Sequence, residues 1–231
     1  MKARGVIFDL DGTLVDNMEL HTQAFAEFMA RHGMPPMDDA QRARLDGKRN
    51  TDIFPELLGR DLPREELMAF SNEKEALYRT LSRGRLAPLA GLERLLAVLA
   101  RNGIPVAVAT SGPADNVRHT LAELGLAGRI ADIVRGDQVA RGKPHPDIFL
   151  AAAAAIGVPP GECLAFEDAP SGVAAARAAG MVCVALSTSF SEDAFRGAGV
   201  VPDHVVPDFD AFLSGPMLEL LAVAARPEHA L

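Results

Sequence analysis

The chain alternates short apolar runs with longer segments of helical periodicity. Six runs rich in valine, isoleucine and leucine each end at a polar or glycine-containing turn, at residues 5–8, 105–109, 130–134, 163–166, 181–186 and, more weakly, 204–206. Four segments have apolar residues at helical spacing and a glycine soon after, at residues 92–101, 116–124, 147–156 and 173–179. Nearly continuous apolar strands are typical of parallel sheets with both faces covered. The pattern therefore predicts an α/β fold, a Rossmann-like parallel sheet with helices on both faces.

One long segment, residues 15–86, breaks this alternation. It contains amphipathic helical patterns separated by turns such as HGMPPMDD, and no convincing strand pattern. The stretch SRGRLAPLAG that follows has glycine and proline without apolar periodicity, which is typical of a linker. We therefore predict an α/β core made of residues 1–14 and 87–231, and an all-helical cap of residues 15–86 inserted after the first strand.

Composition and charge exclude several classes of function. The 231 residues are 48% hydrophobic and 23% charged, which is typical of a folded globular chain rather than a disordered one. A net charge of −8 disfavours a nucleic-acid partner. The longest apolar stretch, residues 148–158, is too short to cross a membrane, and Asp9 interrupts the first apolar run too early for a secretory signal. We expect a cytoplasmic protein with no membrane partner, as a monomer.

Acidic side chains follow two of the predicted strands. In FDLDGTLVD, Asp9 and Asp11 come directly after residues 5–8, and alternate side chains on an extended chain point the same way. Glu167 and Asp168 follow residues 163–166 in the same manner. Because the carboxyl ends of parallel strands share one edge of a sheet, the four carboxylates are predicted to converge. The alternative is that such acids only form turns, which would hold for an isolated D-x-D.

A cluster of carboxylates needs positive charge. Two like charges 4 Å apart repel by about 4 kcal/mol at an effective dielectric constant near 20. Mg²⁺ is suited to compensate them, because it accepts carboxylates, waters and phosphate oxygens as ligands. Lys143, in RGKPHPD, is a second candidate cation, although a single lysine is more commonly a solvated surface residue.

A possible anion site lies at the end of the predicted strand 105–109. Thr110, Ser111 and Gly112 stand there directly before a helical segment. Such a junction offers hydroxyls, backbone N–H groups and the positive end of a helix to a phosphate. Ordinary helix capping explains this segment equally well when it is taken alone.

These motifs, in this order, resemble the haloacid dehalogenase superfamily of phosphotransferases, and most closely its beta-phosphoglucomutase-like branch with an inserted helical cap. The resemblance implies that Asp9 is a nucleophile and Asp11 a general acid/base. It places Thr110 on the phosphate-binding hydroxyl and Lys143 on the lysine of the K-P-x-P-D segment. Members that break carbon–halogen bonds lack the second acid of the D-x-D pair, so dehalogenation is disfavoured.

The resemblance also implies a metal site and a covalent intermediate. Glu167 and Asp168 match the acidic pair that helps to hold Mg²⁺, together with Asp9 and the backbone carbonyl of Asp11. Attack by Asp9 on a phosphoryl group would form an aspartyl phosphate. If water then attacks this intermediate, the protein is a phosphatase, and if a sugar hydroxyl attacks, it is a phosphomutase.

Only the cap discriminates between these two outcomes. His21 and Lys74 resemble the cap histidine and lysine of beta-phosphoglucomutase, although packing and solvation are equally good explanations for each. In LDGKRN, Asp46 stands where the mutase has a lysine, and Arg49, a candidate substrate ligand, is displaced by one residue. Because of this difference, we expect weaker binding of a second phosphate group.

The prediction is therefore a Mg²⁺-dependent phosphatase of a small phosphorylated metabolite, with a sugar phosphate as the expected substrate. A beta-phosphoglucomutase-type phosphomutase is the alternative. A non-catalytic protein that binds a phosphorylated ligand is an alternative from another class, but it would become attractive only if a core acid were replaced. A dinucleotide-binding oxidoreductase lacks support, because no G-x-G-x-x-G follows the first strand.

Overall fold

The computed structural model describes residues 2–215 and 219–221, so residues 1, 216–218 and 222–231 of the predicted core lie outside the described part. Six strands form one sheet in the order β3-β2-β1-β4-β5-β6, and all neighbouring strands pair in parallel. The strands are β1 (Gly5–Phe8), β2 (Val106–Thr110), β3 (Asp132–Arg135), β4 (Cys163–Glu167), β5 (Val182–Leu186) and β6 (His204–Val206). The predicted Rossmann-like sheet is confirmed.

Ten α-helices accompany these strands in the described residues. They are α1 (Met18–Arg31), α2 (Asp39–Leu45), α3 (Asn50–Leu58), α4 (Arg64–Ser82), α5 (Leu92–Arg101), α6 (Ala114–Glu123), α7 (Asp147–Ala155), α8 (Pro170–Ala178), α9 (Glu192–Gly197) and α10 (Phe209–Ser214). Across the described ranges, none of them combines the length and the apolar character that crossing a membrane would require.

Each face of the sheet has its own apolar core because side chains alternate along a strand. Phe8 lies on one face with leucines of α5 and phenylalanines of α10, and its ring stacks on Phe166 with 5.3 Å between the ring centroids. Ile7 lies on the other face against α7 and α8, where Phe149 and several buried alanines cover the strands. Helices therefore cover both faces, as predicted.

The helices α1–α4 form a third apolar cluster that is separate from the sheet. Phe28 and Phe54 lie at its centre with their ring centroids 5.1 Å apart, and both are fully buried. The chain leaves the sheet after β1 and returns before α5, where the Leu89 amide donates to the Leu14 carbonyl at 2.9 Å. These four helices correspond to the predicted cap, whose borders at residues 15 and 86 stay a prediction.

Candidate active site

Three buried carboxylates meet at the carboxyl edge of the sheet. β1 and β4 are neighbours in register, with Phe8 opposite Phe166, so the residues that follow them emerge side by side. Carboxylate oxygens of Asp9, Glu167 and Asp168 lie within 4.8 Å of one another. The predicted convergence is therefore seen for these three acids, although more than 150 positions separate Asp9 from the other two.

Lys143 lies inside this cluster rather than on the surface. Its ammonium donates to Asp9 Oδ1 and to Glu167 Oε1, both at 2.5 Å, and the side chain is only 1% exposed. Burial alone would lower the pKa of Lys143, but the charges of Asp9 and Glu167 outweigh it and raise the pKa above its usual range. The lysine therefore stays charged at neutral pH.

One lysine does not offset three carboxylates. Burial, reinforced by the charge of Glu167 and opposed by Lys143, raises the pKa of Asp9 to about 8. Burial also raises the pKa of Asp168 well above its usual range, and the charges of Glu167 and Asp9 add to the effect. The cluster therefore has more negative than positive charge, and it offers three carboxylate oxygens as ligands. A hard divalent cation prefers oxygen ligands, so these residues fit Mg²⁺.

Backbone contacts hold the acids in place. Glu167 Oε2 accepts the amide N–H groups of Asp168 and Ala169, at 2.9 and 3.0 Å, at the beginning of α8. A β-carbon on Gly172 would lie 1.7 Å from Glu167 Oε1, and one on Gly12, where φ is +77°, would lie 2.0 Å from Asp168 Oδ2. Both positions require glycine because the carboxylates pass so close to the backbone.

The predicted anion site lies beside these acids. Thr110 is buried at the end of β2, and its hydroxyl oxygen accepts the Gly112 N–H at 3.0 Å, which leaves the hydroxyl proton free to donate. The Ser111 hydroxyl instead donates to the Gly47 carbonyl of the cap at 2.7 Å. Of this motif, Thr110 therefore offers a donor to the cavity, whereas the Ser111 side chain attaches the cap to the core.

Asp11 is not part of the acidic cluster, because its side chain turns toward the cap. The Asn17 side-chain amide donates to Asp11 Oδ1 at 2.7 Å, and His21 Nε2 lies 3.6 Å from the same oxygen. Burial would raise the pKa of Asp11, but the proximity of His21, the hydrogen bond from Asn17 and the charge of Lys74 together lower it.

His21 and Lys74 lie together in the cap, directly above Asp11. Lys74 Nζ lies 2.9 Å from both His21 Nδ1 and Glu75 Oε1, and Lys74 is only 3% exposed, so it is not a solvated lysine. Because an ammonium can only donate, Nδ1 accepts and the proton of a neutral His21 is assigned to Nε2. That N–H has no partner within hydrogen-bond distance among the described residues and is directed toward Asp11.

Several residues of the site were not predicted from the sequence. Glu75 accepts hydrogen bonds from Asn50 of α3 at 2.7 Å and from Asn116 of α6 at 2.5 Å, which joins the cap to the core. The sequence pattern of α4 could have indicated them, because its buried polar residues recur at the spacing of one helix face: Ser71, Lys74, Glu75, Tyr78 and Ser82. Polar residues on the buried face of a helix indicate a hydrogen-bonded network.

One cavity lies between the sheet edge and the cap. Asp9, Asp11, Thr110 and Asp168 line its floor, and its cap side combines Met18, Phe25, Met37 and Ile53 with Arg42, Asp46, Lys48 and Lys74. Arg49 is not among the lining residues. Its guanidinium bonds to Asp52 at 2.7 Å and to the carbonyls of Gly136 and Val139, at 3.1 and 3.3 Å. The structure therefore does not bring Arg49 to the other candidate substrate ligands.

Taken together, the sheet edge and its cover define an α/β protein in which a helical cap lies over a buried cluster of acids that could hold a metal ion. The family model for haloacid dehalogenase-like hydrolases matches residues 3–180, which is more than half of the sequence. The chain belongs to this family, and the resemblance predicted from its motifs is confirmed.

Individual relatives agree with this assignment. Hexitol phosphatase A of Escherichia coli is 35% identical over 190 residues, which cover 81% of this chain and 84% of the relative. A hydrolase from Pseudomonas syringae superposes with a TM-score of 0.85 at 30% identity, covering 95% of this chain and all of its own. A beta-phosphoglucomutase from Clostridium difficile superposes with a TM-score of 0.76 at 25% identity, covering 90% and 92%.

Proposed function

We propose that this protein is a Mg²⁺-dependent phosphatase of a small phosphorylated metabolite, with sugar phosphates as the substrate class. The observation that carries the proposal is the contact, at 2.5 Å, between buried Lys143 and Asp9, which lines the cavity together with Thr110. A buried carboxylate held by a lysine beside a free hydroxyl donor suits attack on an anionic phosphoryl group. The name of the related hexitol phosphatase supports the same class of substrate.

In the first half of the reaction, the Asp9 carboxylate attacks phosphorus and the bond from phosphorus to the substrate oxygen breaks. Asp11 gives its proton to that departing oxygen, so the metabolite leaves as a neutral alcohol. Lys143 and Thr110 offset the charge on the transferring phosphoryl group. The product on the protein is an aspartyl phosphate at Asp9.

In the second half, ionised Asp11 removes a proton from a water molecule that attacks the phosphorus atom. The bond between Asp9 and phosphorus breaks, inorganic phosphate leaves, and both side chains return to their starting states. The same group therefore acts first as an acid and then as a base. The lowered pKa of Asp11 in the free protein suits the second role, and the first role requires that Asp11 take up a proton when the anionic substrate binds beside it.

Asp9, Glu167 and Asp168 would hold the Mg²⁺ ion, with the backbone carbonyl of Asp11 as a further ligand implied by the family resemblance. When bound, the ion would supply positive charge to the phosphoryl oxygens and to the acids themselves. This charge would also keep Asp9 ionised, although burial raises the pKa of Asp9 in the metal-free protein to about 8. A nucleophilic carboxylate must be ionised to react.

The cap favours a phosphatase over the phosphomutase alternative. A mutase must hold a sugar that carries a second phosphate, but the guanidinium of Arg49 is bonded to Asp52 and to two core carbonyls. Asp46, moreover, lines the cavity at the position where the mutase has a lysine, so this position offers no positive charge to a second phosphate. The likeness to a beta-phosphoglucomutase and the pairing of His21 with Lys74 keep the mutase as the second candidate.

The proposal is tested by a screen of sugar phosphates with and without Mg²⁺, in which the release of inorganic phosphate is measured. We expect Mg²⁺-dependent release by the wild type and none above background by Asp9→Asn. Conversion of beta-glucose 1-phosphate to glucose 6-phosphate with little release of phosphate would instead establish the mutase. Binding without any turnover would indicate the non-catalytic alternative. The cytoplasmic location and the monomeric state stay predictions.

A further inference from the structure

A buried amide connects Asp11 to the cap. Asn17 precedes α1 and is fully buried, and both the oxygen and the nitrogen of its side-chain amide make hydrogen bonds. Its Oδ1 accepts the Gly12 N–H at 2.9 Å, and its Nδ2 donates to Asp11 Oδ1 at 2.7 Å and to the Tyr78 hydroxyl at 2.6 Å. These three bonds determine the orientation of the amide, because only the nitrogen end can donate.

Tyr78 is the cap residue at the other end of this connection. It is fully buried on α4, and its hydroxyl also lies 3.3 Å from Thr120 Oγ1 of the core helix α6. Because the hydroxyl accepts from Asn17, its own proton is available for Thr120. Burial, together with the charge of Asp11, raises the pKa of Tyr78 well above its usual range, so the phenol stays neutral.

The ring of Tyr78 contacts the second partner of Asp11. It stacks on His21 with 3.8 Å between the ring centroids and 8° between the ring planes. One side chain therefore supports both groups that face Asp11 Oδ1: Asn17 through its hydroxyl and His21 through its ring. The other oxygen of Asp11, Oδ2, is directed toward the anion site, where a β-carbon on Gly112 would lie 3.4 Å away.

We propose that Tyr78 is a positioning residue that acts through Asn17, and holds Asp11 so that Oδ1 faces the cap and Oδ2 faces the phosphoryl group. Tyr78 itself touches neither the phosphate nor the reacting atoms. Its role is to restrict the rotation of the Asp11 carboxylate, which has to meet a departing oxygen within hydrogen-bond distance. The inference rests on the proposed function, since it takes Asp11 as the general acid.

The test compares two substrates that differ in their need for a proton. A sugar hydroxyl is a poor leaving group and needs protonation, whereas nitrophenolate leaves from p-nitrophenyl phosphate without it. The value of kcat/KM covers all steps up to departure of the alcohol, and therefore isolates the step in which Asp11 acts as an acid. It is measured at saturating Mg²⁺ with p-nitrophenyl phosphate and with the sugar phosphate hydrolysed fastest in the screen.

For Tyr78→Phe, which keeps the ring against His21 and removes only the hydroxyl, we expect kcat/KM for the sugar phosphate to fall about tenfold. This is a small part of the roughly 100- to 10,000-fold contribution of a general acid. The value for p-nitrophenyl phosphate should change by less than about twofold, because the reaction with that substrate does not use the acid. Equal losses for the two substrates, or no loss for either, would overturn the proposal.

Two further variants complete the design. Ser82→Ala is the matched control, because Ser82 is also a buried residue of α4 that bonds to α6, at 2.8 Å from His119 Nε2, but it has no contact with Asn17 or Asp11. It should leave the ratio of the two kcat/KM values unchanged. Asn17→Ala should show the same selective loss as Tyr78→Phe, and it decides the question if Tyr78→Phe fails to fold.

Failure of this inference is distinguishable from failure of the proposed function. If Asp11→Asn hydrolyses the sugar phosphate as fast as the wild type, the assignment of Asp11 as the acid is wrong, whatever Tyr78 does. If Asp11→Asn is inactive and neither Tyr78→Phe nor Asn17→Ala changes the substrate ratio, the proposed function stands and the role of Tyr78 is refuted. In the double variant of Tyr78 and Asn17, the loss should not exceed that of Asn17→Ala, because both act on one carboxylate.

Discussion

Replacing Lys143 with methionine tests whether the acidic cluster depends on a buried charge. The substitution keeps the length and apolar character of the side chain and removes the ammonium that lies 2.5 Å from both Asp9 and Glu167. At an effective dielectric constant near 20, each contact is worth about 7 kcal/mol of attraction before the cost of desolvation. Desolvation cancels much of this gain, and removing one partner of a buried pair costs about 3–5 kcal/mol.

We therefore expect the free energy of unfolding of Lys143→Met in EDTA to be about 3–5 kcal/mol below that of the wild type. The assay is urea denaturation followed by circular dichroism. Saturating Mg²⁺ should recover part of the loss, because a cation bound to Asp9, Glu167 and Asp168 replaces positive charge among the same oxygens. Phosphatase activity should be lost in either condition.

Lys48→Met is the matched control, because Lys48 pairs with Glu56 at 3.0 Å in a more exposed setting. An exposed pair of this kind is worth about 1 kcal/mol or less. If Lys143→Met were destabilised no more than Lys48→Met in EDTA, the argument that three buried carboxylates depend on this lysine would be refuted. The same conclusion would follow if Mg²⁺ stabilised the variant no more than the wild type.

Three further predictions concern the acids and the cap. Gly172→Ala should weaken Mg²⁺ binding about 10- to 100-fold in calorimetry, because the new methyl group would lie 1.7 Å from Glu167 Oε1 and displace this carboxylate. Gly161→Ala is the control and should have no effect, because the atom nearest to its new methyl group would be 4.0 Å away. In EDTA, the free energy of unfolding should decrease as pH rises from about 4 to about 8, because folded Asp9, with its pKa of about 8, keeps a proton that the unfolded chain has already lost. Asp9→Asn should make this slope smaller in urea titrations and leave the part due to Asp168, whose pKa is also raised. Arg49→Ala should lower the Tm and leave KM within about twofold of the wild-type value, because the contacts of Arg49 with the core hold the cap loop and do not reach the cavity. A large rise in KM without a change in Tm would instead show that Arg49 is a substrate ligand.

The sheet and its acidic edge could be predicted from the sequence because both depend on local pattern. Strand β1 has the predicted bounds, and β2 and β4 begin or end within one residue of them, since each is a short apolar run between polar turns. Asp9 and Glu167 could be predicted as site residues because Asp9 comes directly after β1 and Glu167 is the last residue of β4. Parallel pairing then brings them together whatever the length of chain between them.

The cap side of the site could not be predicted in the same way. Whether a polar side chain of a helix faces solvent or a partner depends on how two helices are placed, and periodicity alone does not determine this. Lys74 and Glu75 therefore could not be distinguished from solvated residues, although both are buried. Arg49 shows the opposite case. The resemblance to the mutase segment made it a candidate substrate ligand, although displaced by one residue, whereas its acceptors in the structure are Asp52 and two core carbonyls.

The position of β1 at the centre of the sheet has a consequence for synthesis on the ribosome. Val6 pairs with Val106 on one side and with Leu164 on the other, so β1 leaves the exit tunnel well before β2 and gains its second neighbour only after β4 has been synthesised. The helices α1–α4 contact one another over shorter distances in sequence than β1 contacts its neighbours, so they can assemble while β1 is still unpaired. A nascent chain that stops before β4 would carry a folded cap and an exposed apolar strand, and we expect chaperones to bind it at residues 5–8.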